Sequence, residues 1–96
     1  MIEQEKIDDF LKALNEKFPV EGIYDNFFAI ETGKKYHKIV STDGKDRRSS
    51  YGFIDKETGD LFKAASWAAP AKHARGNILD ESGLNACEKH SVIYLR

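Results

Sequence analysis

The stretch FFAIETGKKYHKIVSTDGKDRRSSYGFIDKETGDLF, from Phe27 to Phe62, decides the fold of this chain. Aromatic and β-branched residues gather in the runs FFAIE, YHKIVST and SSYGFID, a composition that suits the pleated, half-buried backbone of a strand. Turn chemistry separates them. Gly33 with a lysine pair divides the first two runs, and the polar TDGKDRRS, with Asp43-Gly44 at its head, divides the next two. In DKETGDLF, Gly59 supplies the positive φ that closes a type I turn with a bulge. Connections this short join antiparallel neighbours. LFKAAS then reads as a fourth strand.

Working outward to the N-terminus, the period changes. Ile7, Phe10, Leu11, Leu14 and Phe18 recur at helical spacing, which predicts an amphipathic helix over residues 3–18. Asp8, Asp9, Lys12, Asn15 and Glu16 fall on its wet side, and Pro19 stops it. Working outward to the C-terminus, Pro70 begins a short helical turn through Lys72, His73 and Arg75, which Gly76 ends. SVIYLR is expected as a fifth strand. The fold class is therefore α+β: an N-terminal amphipathic helix packed on a small antiparallel sheet of four to five strands, with residues 1–96 forming one domain.

At 41% hydrophobic and 32% charged residues, the composition is that of an ordinary globular domain. No apolar run approaches the roughly 20 residues of a membrane span, so no membrane partner is expected. The acidic, amphipathic start MIEQEKIDDF differs from a secretory signal, which places the protein in the cytoplasm. Cys87 is the one cysteine and forms no intrachain disulfide, in keeping with a reducing compartment.

A net charge of −1 conceals a segregation along the chain. Residues 1–33 carry eight acidic and three basic side chains, whereas residues 34–76 carry ten basic and five acidic. The whole domain lacks the basic excess of proteins that cling to nucleic acid non-specifically. A local excess of cations still focuses an anion site.

KAASWAAPAKHARGN, Lys63 to Asn77, concentrates the parts of such a site. Trp67 offers a flat π face, and alanines at 64, 65, 68, 69, 71 and 74 leave room for close approach. Lys63, Lys72, His73 and Arg75 bring positive charge or donors, Arg75 as a bidentate fork for phosphate. Ser66 and Asn77 add hydrogen bonds. The competing reading buries Trp67 in the core, packs the alanines on the helix and leaves the charges solvated.

A second cluster joins Lys45, Arg47 and Arg48 to Lys34, Lys35 and Lys38, with Tyr36 and Tyr51 interleaved as stacking platforms. The competing reading is a mobile charged hairpin tip; if the cluster acts, the loop bearing Arg47 and Arg48 closes over a bound anion as a lid.

FIDKETGDLFKAASWAAPAKHARGNI, with KYHKIV upstream, resembles a family of small, uncharacterised tailed-phage proteins. Their pattern runs F-I-D-x-x-T-G-D, then A-S-W-x-x-P-A-K-x-x-R-G-N-I, and the match spans Lys35 to Ile78. The resemblance implies a phage setting, carries no reaction and assigns no functional residue.

Catalysis is not expected. Cys87 and His90 form a single C-x-x-H pair, short of the four ligands of a structural zinc site. A Cys–His nucleophile would need an orienting group and an oxyanion site. Asp55 and Asp60 flank a turn, where capping accounts for them. No phosphate-loop, dinucleotide or zinc-protease motif occurs.

The sequence thus points to a non-catalytic binder of a small anionic, nucleotide-like ligand, without cofactor or metal, able to sequester a host nucleotide signal. The alternatives are nucleic-acid binding through the basic strands and the Arg47-Arg48 loop, and a protein–protein module that inhibits a host enzyme. A domain of this size seldom encloses a whole pocket, so a homo-oligomer, most simply a dimer, is expected around the site.

Overall fold

A computed structural model of the protein describes residues 2–20, 26–88 and 91–93. In chain order its elements are α1 (Gln4–Lys17), β1 (Phe27–Thr32), β2 (Tyr36–Thr42), β3 (Arg48–Asp55), β4 (Asp60–Lys63), β5 (Gly76–Asn77) and α2 (Glu81–Asn85). The strands form one sheet in sequence order, and every neighbouring pair is antiparallel. The expected α+β architecture is present, with the helix on one face.

The periodicity of α1 is used as read. Ile7, Phe10 and Leu14 are buried against Phe28, Ile39, Ile54 and Leu61, which the strand alternation turns to the same side. Asn15 departs from its expected place on the wet side. Its Nδ2 donates to the Phe28 carbonyl at 3.0 Å, and its Oδ1 accepts from the Phe28 N–H at 2.8 Å. Since β1 is an edge strand, both groups lack a strand partner on that side; one amide side chain satisfies them and fixes the helix on the sheet. Lys17, in the last turn of α1, donates from Nζ to the carbonyls of Leu84 at 2.8 Å and Cys87 at 3.0 Å. A cation there meets carbonyls at the negative, C-terminal end of α2.

Within the sheet, Ile39 pairs with Gly52 while Val40 pairs with Ser50, which leaves Tyr51 as an extra residue in β3. This bulge turns Tyr51 into the core. Its ring stands edge-on to Phe28 at 4.8 Å, and its hydroxyl donates to the Glu88 carbonyl at 2.5 Å. Burial and the nearby Cys87 push its pKa upward. Tyr51 is thus a structural residue and cannot serve as the exposed stacking platform expected of it.

The C-terminal third differs from expectation at three points. Among the described residues the fifth strand is Gly76–Asn77; within SVIYLR, Val92 forms an isolated bridge to Cys87, and Tyr94 to Arg96 lie outside the described residues. Next, residues 70–75 are not helical. Ala71 donates its N–H to Lys63 O at 2.7 Å and Arg75 to Leu61 O at 2.7 Å, so these donors are spent on β4. His73 adopts φ 67°, outside the right-handed helical region. Finally, a short helix that no apolar periodicity announces, α2, begins at Asp80, an N-cap accepting from Ser82 N at 2.7 Å. The helix packs onto β5 through a glycine pair: a Cβ on Gly76 would meet the Ser82 carbonyl, and one on Gly83 the Asn77 carbonyl.

Two outcomes are expected. Asn15→Ala leaves both Phe28 groups unpaired and should cost about 1–3 kcal/mol in urea denaturation, against a change within about 0.5 kcal/mol for exposed Lys12→Ala. His37 is buried beside Thr32, whose Oγ1 lies 2.9 Å from its Nδ1. Burial, then Lys56, lowers its pKa below the usual 6.5. The unfolded chain therefore binds this proton more readily. The contribution of neutral His37 is complete above about pH 6.5 and is lost as pH falls below it. His37→Asn should flatten that part of a stability–pH curve.

Candidate functional site

Helix and core occupy one face of the sheet, and the other face carries a row of opposed side chains. Glu31 of β1 stands opposite Lys38 of β2, Lys38 opposite Phe53 of β3, and Phe53 opposite Phe62 of β4. Directly opposed residues lie close enough to interact across strands. Tyr36 packs edge-on to both Phe53 and Phe62, at 5.8 and 6.0 Å between ring centroids. Period-two alternation puts all of these on the side away from α1.

The alanine-rich segment comes to this face. Beyond β4 the chain makes an isolated bridge from Ala64 to Pro70, and Ala65 N and Ser66 N both donate to Ala69 O. Trp67 rides at the tip of that turn. It is 43% exposed, on the face opposite the core, so the reading that buries it fails. Small residues let the turn fold this tightly.

Trp67 gathers cations. Lys38 Nζ lies 3.9 Å from the ring centroid and Arg48 Cζ 5.1 Å from it. The Arg48 guanidinium also pairs with the Glu31 carboxylate. Lys35 Nζ stands 5.4 Å from the Tyr36 ring, and Lys38 is 5.9 Å from Phe53. A cation held over an aromatic face keeps its outward N–H donors, so stacking positions these charges without consuming them.

Between the β1–β2 turn and the Trp67 loop lies an open cleft of about 310 Å³. Its walls include Glu31, Lys34, Lys35, Tyr36, Lys38, Phe53 and Ala68. Aromatic surface and ammonium groups therefore share one concavity.

The expected site residues separate. Trp67 and Arg48 stand together beside Lys38, a residue of the cleft wall, with Ser66 exposed at the same turn. Lys63 lies opposite Gly52, on the helix side by alternation. Lys72 and His73 are exposed on the returning strand of the loop. Arg75 is engaged elsewhere: Nε donates to Ile93 O at 3.1 Å, and Nη1 to the carbonyls of Lys72 and His73. Asn77 is also committed, giving Nδ2 to Thr58 O at 2.8 Å and Asp60 Oδ1 at 3.1 Å while Oδ1 accepts from Leu79 N at 2.8 Å. Both hold the β4–β5 corner.

Arg47 sits in the β2–β3 turn, its N–H donated to Asp43 Oδ1 at 3.1 Å and its carbonyl accepting from Thr42 Oγ1 at 2.8 Å. The two clusters read from the sequence therefore meet halfway, Trp67 from one joining Lys38 and Arg48 from the other. Glu31 and Phe53 belong to neither sequence cluster. Their signal was the alternation that aligns them with Lys38.

Cys87 is buried, which raises its thiol pKa to about 11 and suppresses the thiolate. His90 lies outside the described residues. Among the described residues, no three His, Cys, Asp or Glu side chains stand together as a metal site, and no helix is long and apolar enough to cross a membrane.

The chain belongs to a family of unknown function, DUF7717, whose model matches residues 3–91. No curated protein and no solved structure matches it.

These placements invert the usual ranking of residue types. Arg75→Ala removes a guanidinium from three carbonyls and should cost about 2–4 kcal/mol. Trp67→Ala loses exposed stacking and should cost no more than about 1–2 kcal/mol, well under the ~3–5 kcal/mol of a core tryptophan. Chemical denaturation followed by circular dichroism measures both.

Proposed function

We propose that this protein is a non-catalytic binder of a phosphate-bearing, base-bearing ligand, a nucleotide, at the cleft beside Trp67. One observation carries the reading: Lys34, Lys35 and Lys38 converge with Tyr36 and Phe53 on a single cleft of about 310 Å³. A nucleotide brings a flat apolar base and a compact anionic group, and this cleft offers a partner for each. Its volume is at the low end of ligand sites, roughly 300 Å³ and upward, which suits one nucleotide unit and favours a second copy of the chain completing the enclosure. The phage setting suggested by the motif resemblance gives such a binder a role: removal of a host nucleotide signal by sequestration.

Nucleic-acid binding draws on the same face, and its distinguishing property is salt. A strand that neutralises many phosphates loses affinity steeply as salt rises, whereas a ligand held by two or three cations loses much less.

Calorimetric titration with a panel of mononucleotides tests the proposal. The Lys35→Ala, Lys38→Ala double variant should weaken binding about 10- to 100-fold, as expected for lost charge-assisted contacts. Lys72→Ala should leave it unchanged. Binding by none of the panel, together with salt-sensitive retention of single-stranded oligonucleotides, would replace the proposal with the strand-binding reading.

A further inference from the structure

The cleft wall itself carries an anion. Glu31 stands directly opposite Lys38 in the β1–β2 register, its carboxylate pairs with the Arg48 guanidinium, and it forms part of the cleft wall. Lys38 and Arg48 are the two cations held against Trp67. A single carboxylate thus sits among the charges that a phosphate would use.

We infer that Glu31 is an internal competitor for the anion subsite, held on Arg48 in the free protein and displaced by the ligand's phosphate group. The inference rests on the nucleotide-binding reading and adds to it the residue that sets the threshold for entry. Physically the exchange is favourable only for a strong anion. Glu31 offers one negative charge and two oxygens. A terminal phosphate carries about −1.5 to −2 charges and three acceptor oxygens, so it gains more from Lys38 and Arg48 than the carboxylate gives up. An aliphatic carboxylate brings no such surplus. The ligand class is accordingly a nucleotide with a terminal phosphate or diphosphate.

The pair is well suited to exchange. Its side chains are 47% and 44% exposed, so water takes up a released carboxylate at little cost. A buried pair would resist opening. Stacking on Trp67 keeps Arg48 in place once Glu31 leaves, so the cation is not lost with its partner.

Two measurements on Glu31→Gln separate this inference from the reading beneath it. Trp67 is the single tryptophan of the chain, so its fluorescence reports this corner alone. Iodide, a small anion, quenches more strongly where the local potential is positive. In ligand-free protein the variant should show an iodide quenching constant raised about twofold, with quenching by neutral acrylamide much less affected. Titration with adenosine 5′-monophosphate should then show affinity tightened about three- to tenfold in the variant, by loss of the competing pair and its repulsion. Glu5→Gln, on the helix across the sheet, should leave both readouts at wild-type values.

Equal iodide quenching in variant and wild type would overturn the inference, since Glu31 would then not shield these cations. Equal or weaker nucleotide affinity in the variant, with binding clear in the wild type, would also overturn it while leaving the binding reading intact. Raised quenching with no nucleotide bound by either protein would sink the binding reading and reduce Glu31 to a charge shield of Trp67.

Discussion

One amide side chain sets the arrangement of this domain. Asn15 meets both backbone groups of Phe28, so the helix cannot slide along or roll off the edge strand without stranding a donor and an acceptor. With α1 held there, Ile7, Phe10 and Leu14 fill one face of the sheet. Lys17 ties the far end of the same helix to the carbonyls that close α2. Most of the large apolar burial of the described residues then belongs to the helix side, while Phe53, also buried, sits on the opposite side among charged and aromatic side chains under a single loop.

That exposed face follows from how strands divide their residues. Alternation delivers Ile39 and Ile54 to the core and, by the same step, Lys38 and Phe53 to the other side. A bare aromatic surface would be a liability on a small domain, and here it is partly screened by cations. Lys38 lies against Trp67 and near Phe53, Lys35 near Tyr36, Arg48 against Trp67. Each ammonium or guanidinium covers apolar carbon with its stem while its polar end remains in water. Glu31 balances part of this charge. Contacts among these side chains therefore arrange the face without help from any other molecule.

The core-facing helix, β1 to β4 and the turns at Gly44 and Gly59 were legible in the sequence because each rests on local chemistry. Period 3.6 or 2 marks the element, and Asp-Gly or Thr-Gly-Asp marks the reversal, with φ of 82° at Gly44 and 80° at Gly59. The last third was harder for a corresponding reason. SVIYLR has strand composition, yet the strand that completes the sheet is Gly-Asn, two residues with no strand propensity. They pair with β4 because the missing side chain at Gly76 lets α2 approach, and because Asn77 clamps the preceding turn. Nothing in their local sequence announces this.

The candidate site divides along the same line. Composition alone determined that Trp67 would sit among small residues and that positive charge would concentrate in residues 34–76. Which cations reach the tryptophan was a tertiary decision. Arg75 and Asn77, its neighbours in sequence, point their polar groups at backbone carbonyls and turns, where unpaired groups would be costly. Lys38 and Arg48, many residues upstream, arrive because the antiparallel register lays β2 and β3 beneath the loop. Sequence fixes which side chains exist and how they alternate. Only the folded sheet, by spending some donors on structure and leaving others in water, selects those that remain exposed on its open face.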